Sequence, residues 1–299
     1  MRYYSFPPFK YQYFFPITVK KYSFLLSFYQ PYSWFAKIYW KLWINIAVLR
    51  YLSSQEDIEK YIPEITIRNF IGKKATLAFN TGSPGPEQKI TALGILNNQK
   101  FFIKFAQSDL SKNFVRNEEF ILRQLQNQDF VPKILDFNSS SENVLLKTTL
   151  LTGKRFQTKT INNEIVLLLL KIASLQISTK NSYDSKIQSS FAHGDFCPWN
   201  LMLDKNNIKV FDWEMAGTYP LGYDLFTFIF NTAFFLSSER DISKIIDQDI
   251  NHINTYFRNF NIYNWNKYLT SFGAIKKRQA LNKNNIDLVN FYNKIERNR

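Results

Sequence analysis

The sequence predicts an α+β chain of two lobes, an antiparallel-sheet lobe followed by a mainly helical one, with a helical extension at the N-terminus. Three observations carry this expectation. Short apolar runs punctuated by turn residues fill the stretch from Ile65 to Phe137, helical patterns dominate after Gly153, and the composition shifts near residue 60, before which aromatics are dense and acids almost absent. The expected division is residues 1–60 as an aromatic and basic extension, 61–151 as the sheet lobe and 152–299 as the helical lobe.

Composition narrows the classes of function. The chain has 299 residues, 45% of them hydrophobic, enough to bury a substantial core. Its longest apolar runs, such as Ile165 to Leu170, fall far short of the roughly 20 residues that span a bilayer, so a transmembrane bundle is excluded. A single cysteine, Cys197, removes a disulfide framework and a cysteine zinc cluster, and only two histidines, His193 and His252, are left to bind metal. A needed cation is therefore expected to be a hard one held by oxygen, such as magnesium. Prolines and lysines interrupt the aromatics at the start, which does not resemble a secretory signal, and a cytoplasmic location is expected. The net charge of +14 favours an anionic partner: nucleotide, sugar phosphate, nucleic acid or membrane surface.

In chain order, Trp34, Ile38, Leu42, Ile46 and Leu49 follow helical spacing between Tyr32 and Leu52, with Lys37, Lys41 and Asn45 on another stripe. This basic amphipathic helix is expected to pack on the main domain, burying Trp34, Ile38, Leu42 and Ile46. The alternative is peripheral membrane contact through residues 33–52, with Lys37, Lys41 and Arg50 toward anionic headgroups. Ala75 to Asn80, Ile90 to Leu96 and Phe101 to Phe105 read as an antiparallel meander, joined by turns containing Gly82, Pro84, Gly85 and Pro86, then Asn97 and Asn98. A helix over about Lys112 to Asn127 presents Phe114, Ile121, Leu122 and Leu125, and Asn143 to Leu151 reads as a further strand. Glu164 to Ile177 opens the helical lobe, and its apolar run predicts a helix buried on most sides.

The segment richest in chemistry is His193-Gly194-Asp195-Phe196-Cys197-Pro198-Trp199-Asn200, followed by two short strands around the turn Asp204 to Asn207, the second ending in Asp212. Such a hairpin brings Asp195, Asn200 and Asp212 to one end. Phosphoryl transfer needs a group of this kind: a carboxylate to orient and deprotonate an acceptor hydroxyl, and an Asn and an Asp to hold magnesium on the phosphates.

These residues, with Asp212-Trp213-Glu214 and Gly222-Tyr223-Asp224-Leu225, resemble the aminoglycoside phosphotransferase and choline kinase family of the protein-kinase-like fold. The resemblance implies ATP with Mg2+ as cofactors, proton abstraction by Asp195, metal binding by Asn200 and Asp212, and a structural His193. It implies that Asp224 braces the catalytic loop, while Glu214 either supports the metal or caps a turn. It also implies a strand lysine on the nucleotide phosphates, held by a helix glutamate. Lys104, in an otherwise apolar strand, suits the first role. Glu118, on the face of Leu122 and Leu125, suits the second better than Glu119. Ser83 and Gly85 fall in the turn where the fold places its phosphate-covering loop, and Thr149 and Leu151 fall where the hinge binds adenine through its backbone. The resemblance covers roughly Ile65 to Phe235.

The implied activity is transfer of the γ-phosphate of ATP to a hydroxyl of a small molecule, with sugars, saccharides or amino alcohols favoured over protein and no nucleic acid expected as a partner. Scarce acids in the acceptor lobe argue against a polycationic antibiotic. The rival readings are a nucleotide-binding pseudokinase scaffold and a basic binder of membrane surface or nucleic acid.

Overall fold

The computed structural model describes all residues except 1, 9, 32, 56, 157, 184–186, 238 and 298–299. Tyr32, where the predicted N-terminal helix begins, thus lies outside the described residues. The chain divides into two compact units, one running to Glu119 with Pro132–Leu150 added, the other holding Phe120–Val131 and the chain from Leu151 onward.

The first unit is built on an eight-stranded sheet whose neighbours pair antiparallel throughout. Its strands are β1 (Tyr3–Phe6), β2 (Tyr13–Pro16), β3 (Ser54–Gln55), β4 (Thr76–Asn80), β5 (Ile90–Leu96), β6 (Gln99–Ala106), β7 (Ile134–Ser139) and β8 (Val144–Thr149). They lie in the order β3-β1-β2-β4-β5-β6-β8-β7. The strands expected over 75–105 and 143–151 are present, with ends moved by one or two residues. Helices α1 (Trp34–Asn45), α2 (Ala47–Tyr51), α3 (Glu64–Ile71) and α4 (Asp109–Gln124) complete its elements, α4 running across the division.

The segment expected only as a helical extension therefore also supplies three strands. Tyr13 pairs with Asn80 and Phe14 with Phe79, so β2 continues the meander beyond β4. Successive side chains on a strand point to opposite faces, and these strands bury both. Phe14, Phe79, Ala92 and Ile103 join a core with Ile67 and Ile71 of α3, whereas Phe15, Ala78 and Leu93 join another with Phe6, Leu25, Trp40 and Trp43. Strands buried on both faces lose the apolar–polar alternation that betrays a half-exposed strand, which is why β1 and β2 read only as dense aromatics.

Helix α1 corrects the expected burial. Ser33 caps it, its Oγ accepting from the Ala36 N–H, and the chain leaves helical geometry at Ile46, short of Leu52. Trp40 and Trp43 face the sheet, while Trp34 (66% exposed), Ile38, Leu42 (47%) and Ile46 face outward. The helix is apolar on two sides, and the two indoles, stacked at 5.2 Å, claim the core side because they fill the space over Phe6 and Phe15. Arg50, expected to meet headgroups in the membrane alternative, is buried and donates to the Trp43 and Ile44 carbonyls at the end of α1.

The second unit holds β9 (Lys154–Arg155), α5 (Asn163–Ala173), β10 (Ser189–Ala192), β11 (Leu201–Asp204), β12 (Asn207–Val210) and β13 (Gly217–Pro220). Four long helices follow: α6 (Tyr223–Leu236), α7 (Ile242–Arg258), α8 (Asn266–Asn282) and α9 (Ile286–Arg297). Helix α6 is buried along most of its length, whereas α5, expected to be buried on most sides, hides only Ile165, Val166, Leu169 and Ile172 and exposes Leu167. Its consecutive leucines cannot all fall on one helical face. Among the described residues, no helix is long and apolar enough to cross a membrane.

Candidate functional site

In the first unit, β6 runs between β5 and β8, with Lys104 opposite Thr91 and Leu146, so it is an interior strand and not an edge. Lys104 is buried, a costly place for an ammonium without a partner. Its Nζ lies 2.5 Å from Oε2 of Glu118, also buried, so α4 supplies a counter-charge through Glu118. Ser83 and Gly85 sit exposed in the turn between β4 and β5. At its start Gly82 adopts φ +75° and donates its N–H to Asn80 Oδ1, and a Cβ there would come within 2.4 Å of the Lys89 carbonyl, so the chain turns here only with glycine. Thr149 lies at the end of β8, where its N–H donates to the Lys133 carbonyl and its Oγ1 accepts from the Lys133 N–H. That N–H is thus spent within the sheet and is not available to a base. Leu151 belongs to the second unit, in irregular chain before β9.

In the second unit, β11 and β12 form the expected hairpin, Leu201 opposite Val210, and the Phe211 N–H donates to the Asn200 carbonyl at 3.1 Å. This register sets Asn200 and Asp212 at the same end. Asn200 is buried, and its Nδ2 donates to both the main-chain oxygen (2.9 Å) and Oδ2 (3.0 Å) of Asp195. Committing Nδ2 in this way leaves Oδ1 as the atom that Asn200 could offer a cation. Asp212 takes a left-handed conformation (φ 70°, ψ 54°), an arrangement that costs energy for a residue other than glycine and that Asp tolerates better than most. A carboxylate oxygen of Asp212 and one of Glu214 lie within 4.8 Å of each other. Hard oxygen donors gathered at one hairpin end fit a cation such as magnesium.

The loop before the hairpin is fixed from beneath. Asp224, near the start of α6, is buried and accepts the His193 N–H at 2.6 Å and the Gly194 N–H at 2.9 Å, one on each carboxylate oxygen. Burial pushes this carboxyl up from its ordinary range, while the His193 and Gly194 N–H donors pull it back. Gly194 has φ +86°, and a Cβ would meet the Met215 carbonyl oxygen at 2.2 Å, so main-chain crowding alone demands glycine between His193 and Asp195. His193 is fully buried; its Nδ1 accepts from the Asp195 N–H, leaving the proton on Nε2 to donate to the Phe211 carbonyl at 3.0 Å. The imidazole thus ties the loop to the hairpin.

Asn231, Lys276 and Tyr292, which no motif in the sequence singles out, approach Asp195 from the helices, with Cys197 of the loop between. The Tyr292 hydroxyl donates to Asn231 Oδ1, Asn231 Nδ2 donates to Cys197 Sγ at 3.3 Å, and the Cys197 thiol donates to Asp195 Oδ1 at 3.5 Å. Burial pushes the Tyr292 hydroxyl up to about 12 and the Cys197 thiol well above its usual range, so both remain protonated donors. Lys276 is buried on α8, its ammonium 5.0 Å from the centre of the Tyr223 ring and in electrostatic reach of Cys197, Asp224 and Tyr292. It sits in a Lys276-Lys277-Arg278 run that reads as solvated surface, yet Leu269, Phe272, Lys276 and Ala280 recur at helical spacing on the buried side. That periodicity was the available signal.

Residues 169–248 match the model of the phosphotransferase enzyme family. The interval contains His193, Asp195, Asn200, Asp212 and Asp224. No curated protein sequence matches the chain. Among solved structures, it is similar to an amicoumacin kinase, hAmiN, in complex with AMP-PNP, Ca2+ and Ami, with 13% identity, a TM-score of 0.56, and 79% of this chain and 94% of that one covered. It is also similar to aminoglycoside phosphotransferase APH(4)-Ia, with 14% identity, a TM-score of 0.55, and 80% and 99% covered. The chain has the kinase-like fold of these enzymes, as the motifs around Asp195 imply.

Proposed function

We propose that the protein is a small-molecule kinase that moves the γ-phosphate of ATP to a hydroxyl group. The observation that carries this reading is the end of the β11–β12 hairpin, where Asn200 holds Asp195, Asp212 lies at the same end by register and Asp224 fixes the preceding loop, all inside the segment that matches the phosphotransferase family. Asp195 orients the acceptor hydroxyl and takes its proton. Two donors, Asn200 Nδ2 and the Cys197 thiol, fix its carboxylate so that little reorganisation is needed at the moment of transfer. Asn200 and Asp212 would hold magnesium, with Glu214 in support; when bound, the ion neutralises charge on the transferring phosphoryl group. Lys104, oriented by Glu118, holds nucleotide phosphates.

The metal assignment has a direct check. Asp212→Ala should weaken magnesium-dependent ATP binding by more than about 10-fold, the loss expected even of a group that only supports a ligand. Binding without magnesium should be unchanged. Calorimetry with and without the ion reads both, and equal magnesium-ATP affinity in variant and parent would remove Asp212 from the role.

For the acceptor, the cation of Lys276, 5.0 Å from the Tyr223 ring and in electrostatic reach of Cys197 and Tyr292, favours a neutral or anionic hydroxylated molecule, such as a sugar or saccharide, over a polycation. ATP consumption against a panel of sugars, sugar phosphates, amino alcohols and aminoglycosides tests this. Turnover is expected with the first two classes; turnover confined to aminoglycosides would reverse the assignment of acceptor class, and none with any class would count against the activity.

A further inference from the structure

Helix α1 has one apolar face too many. Trp40 and Trp43 anchor it to the sheet, yet Trp34, Phe35, Ile38, Leu42 and Ile46 are all exposed, Phe35 to 77%. By helical spacing these five fall on one side, and Lys37 and Lys41, also exposed, run alongside. Exposed apolar character continues through Val48 and Leu52. A contiguous patch of this kind on a folded surface marks a place where something else binds.

Charge decides what that partner is. The chain carries Arg2, Lys10, Lys20, Lys21, Lys37, Lys41 and Arg50 before its first acidic residue, Glu56. Pairing of this face with a second copy would bring two such segments together, in molecules that each carry +14. An anionic bilayer surface suits both features: the aromatic and aliphatic side chains enter the boundary between headgroups and acyl chains, and the lysines meet phosphates. Twelve residues are too few to span the hydrocarbon and enough to lie along its surface. Because the opposite face is already packed on the sheet, the helix needs no folding on contact.

We propose that α1 is a membrane-surface docking helix, with Phe35, Leu42 and their exposed neighbours entering an anionic leaflet while Lys37 and Lys41 pair with its headgroups. The full-length protein should co-sediment with phosphatidylcholine vesicles containing about 30% phosphatidylglycerol and not with phosphatidylcholine alone, and the binding should weaken steeply with salt. Replacing Lys37 and Lys41 by alanine should cost about fivefold in affinity for each lysine. The double variant F35S/L42S should lose more than about 10-fold while melting as the parent does, since both side chains are exposed. Absence of binding, equal binding to both vesicle types, or unchanged binding by F35S/L42S would overturn the proposal. So would a dimer in sedimentation that the same variant dissociates, since it would assign the face to a second copy.

Discussion

Asp195→Asn is expected to lower phosphoryl transfer by about 10²–10⁴-fold while leaving nucleotide affinity close to that of the parent. The substitution preserves shape and much of the hydrogen bonding. An amide can turn its oxygen to Asn200 Nδ2, and its NH2 then faces Cys197 Sγ, which accepts as well as donates. What it removes is the capacity to take a proton. Single-turnover transfer, measured where chemistry limits the rate, together with nucleotide titration separates the two effects. A variant keeping more than about a tenth of parental turnover would show that Asp195 only positions the acceptor. Loss of nucleotide binding in step with transfer would show instead that the loop had collapsed.

Much of this site was legible because its chemistry is local. His193-Gly194-Asp195, then Asn200, then Asp212 lie within 20 residues, and a two-strand hairpin with a turn at Asp204 to Asn207 is the simplest structure that brings their ends together. Lys104 stood out for an equally local reason, an ammonium in the middle of an apolar strand. The loop's other supports were harder to read. The crowding at Gly194 comes from the Met215 carbonyl across the turn, and Tyr292, Asn231 and Lys276 reach Asp195 and its neighbours from three separate helices. No spacing rule joins residues so far apart in sequence.

The N-terminal segment failed in a different way. Both β1–β2 and α1 are apolar on two sides, and a pattern without a polar face does not say which face turns inward. In the strands both faces are filled, by Phe14 on one and Phe15 on the other. In α1 the fold fills only one, and the stripe that reads best as amphipathic, Trp34-Ile38-Leu42-Ile46, is the one left outside. Shape settled the matter: the paired indoles of Trp40 and Trp43 cover the aromatic rings of β1 and β2, a fit that hydropathy does not encode.

Two tryptophans on this one helix should therefore respond oppositely to the same substitution. Trp43 is fully buried, its ring packed within 6 Å of Phe6, Phe15 and Trp40 and its indole N–H donating to Ser53 Oγ. Trp43→Ala removes these contacts and opens a cavity against strands that cannot readily move, at a cost of about 3–5 kcal/mol. Trp34 lies on the same helix, nine residues earlier, but is 66% exposed, and Trp34→Ala should change stability by no more than about 0.5 kcal/mol. Because the chain has two units, a single melting temperature would blend them, and hydrogen exchange of amides in β1, β2 and β4 reports on the right one. Their protection should fall by about 10²–10⁴-fold in Trp43→Ala and stay near parental in Trp34→Ala. If both variants lost protection equally, the helix would be packed through the face placed here in solvent, and the membrane-docking proposal would lose its surface with it.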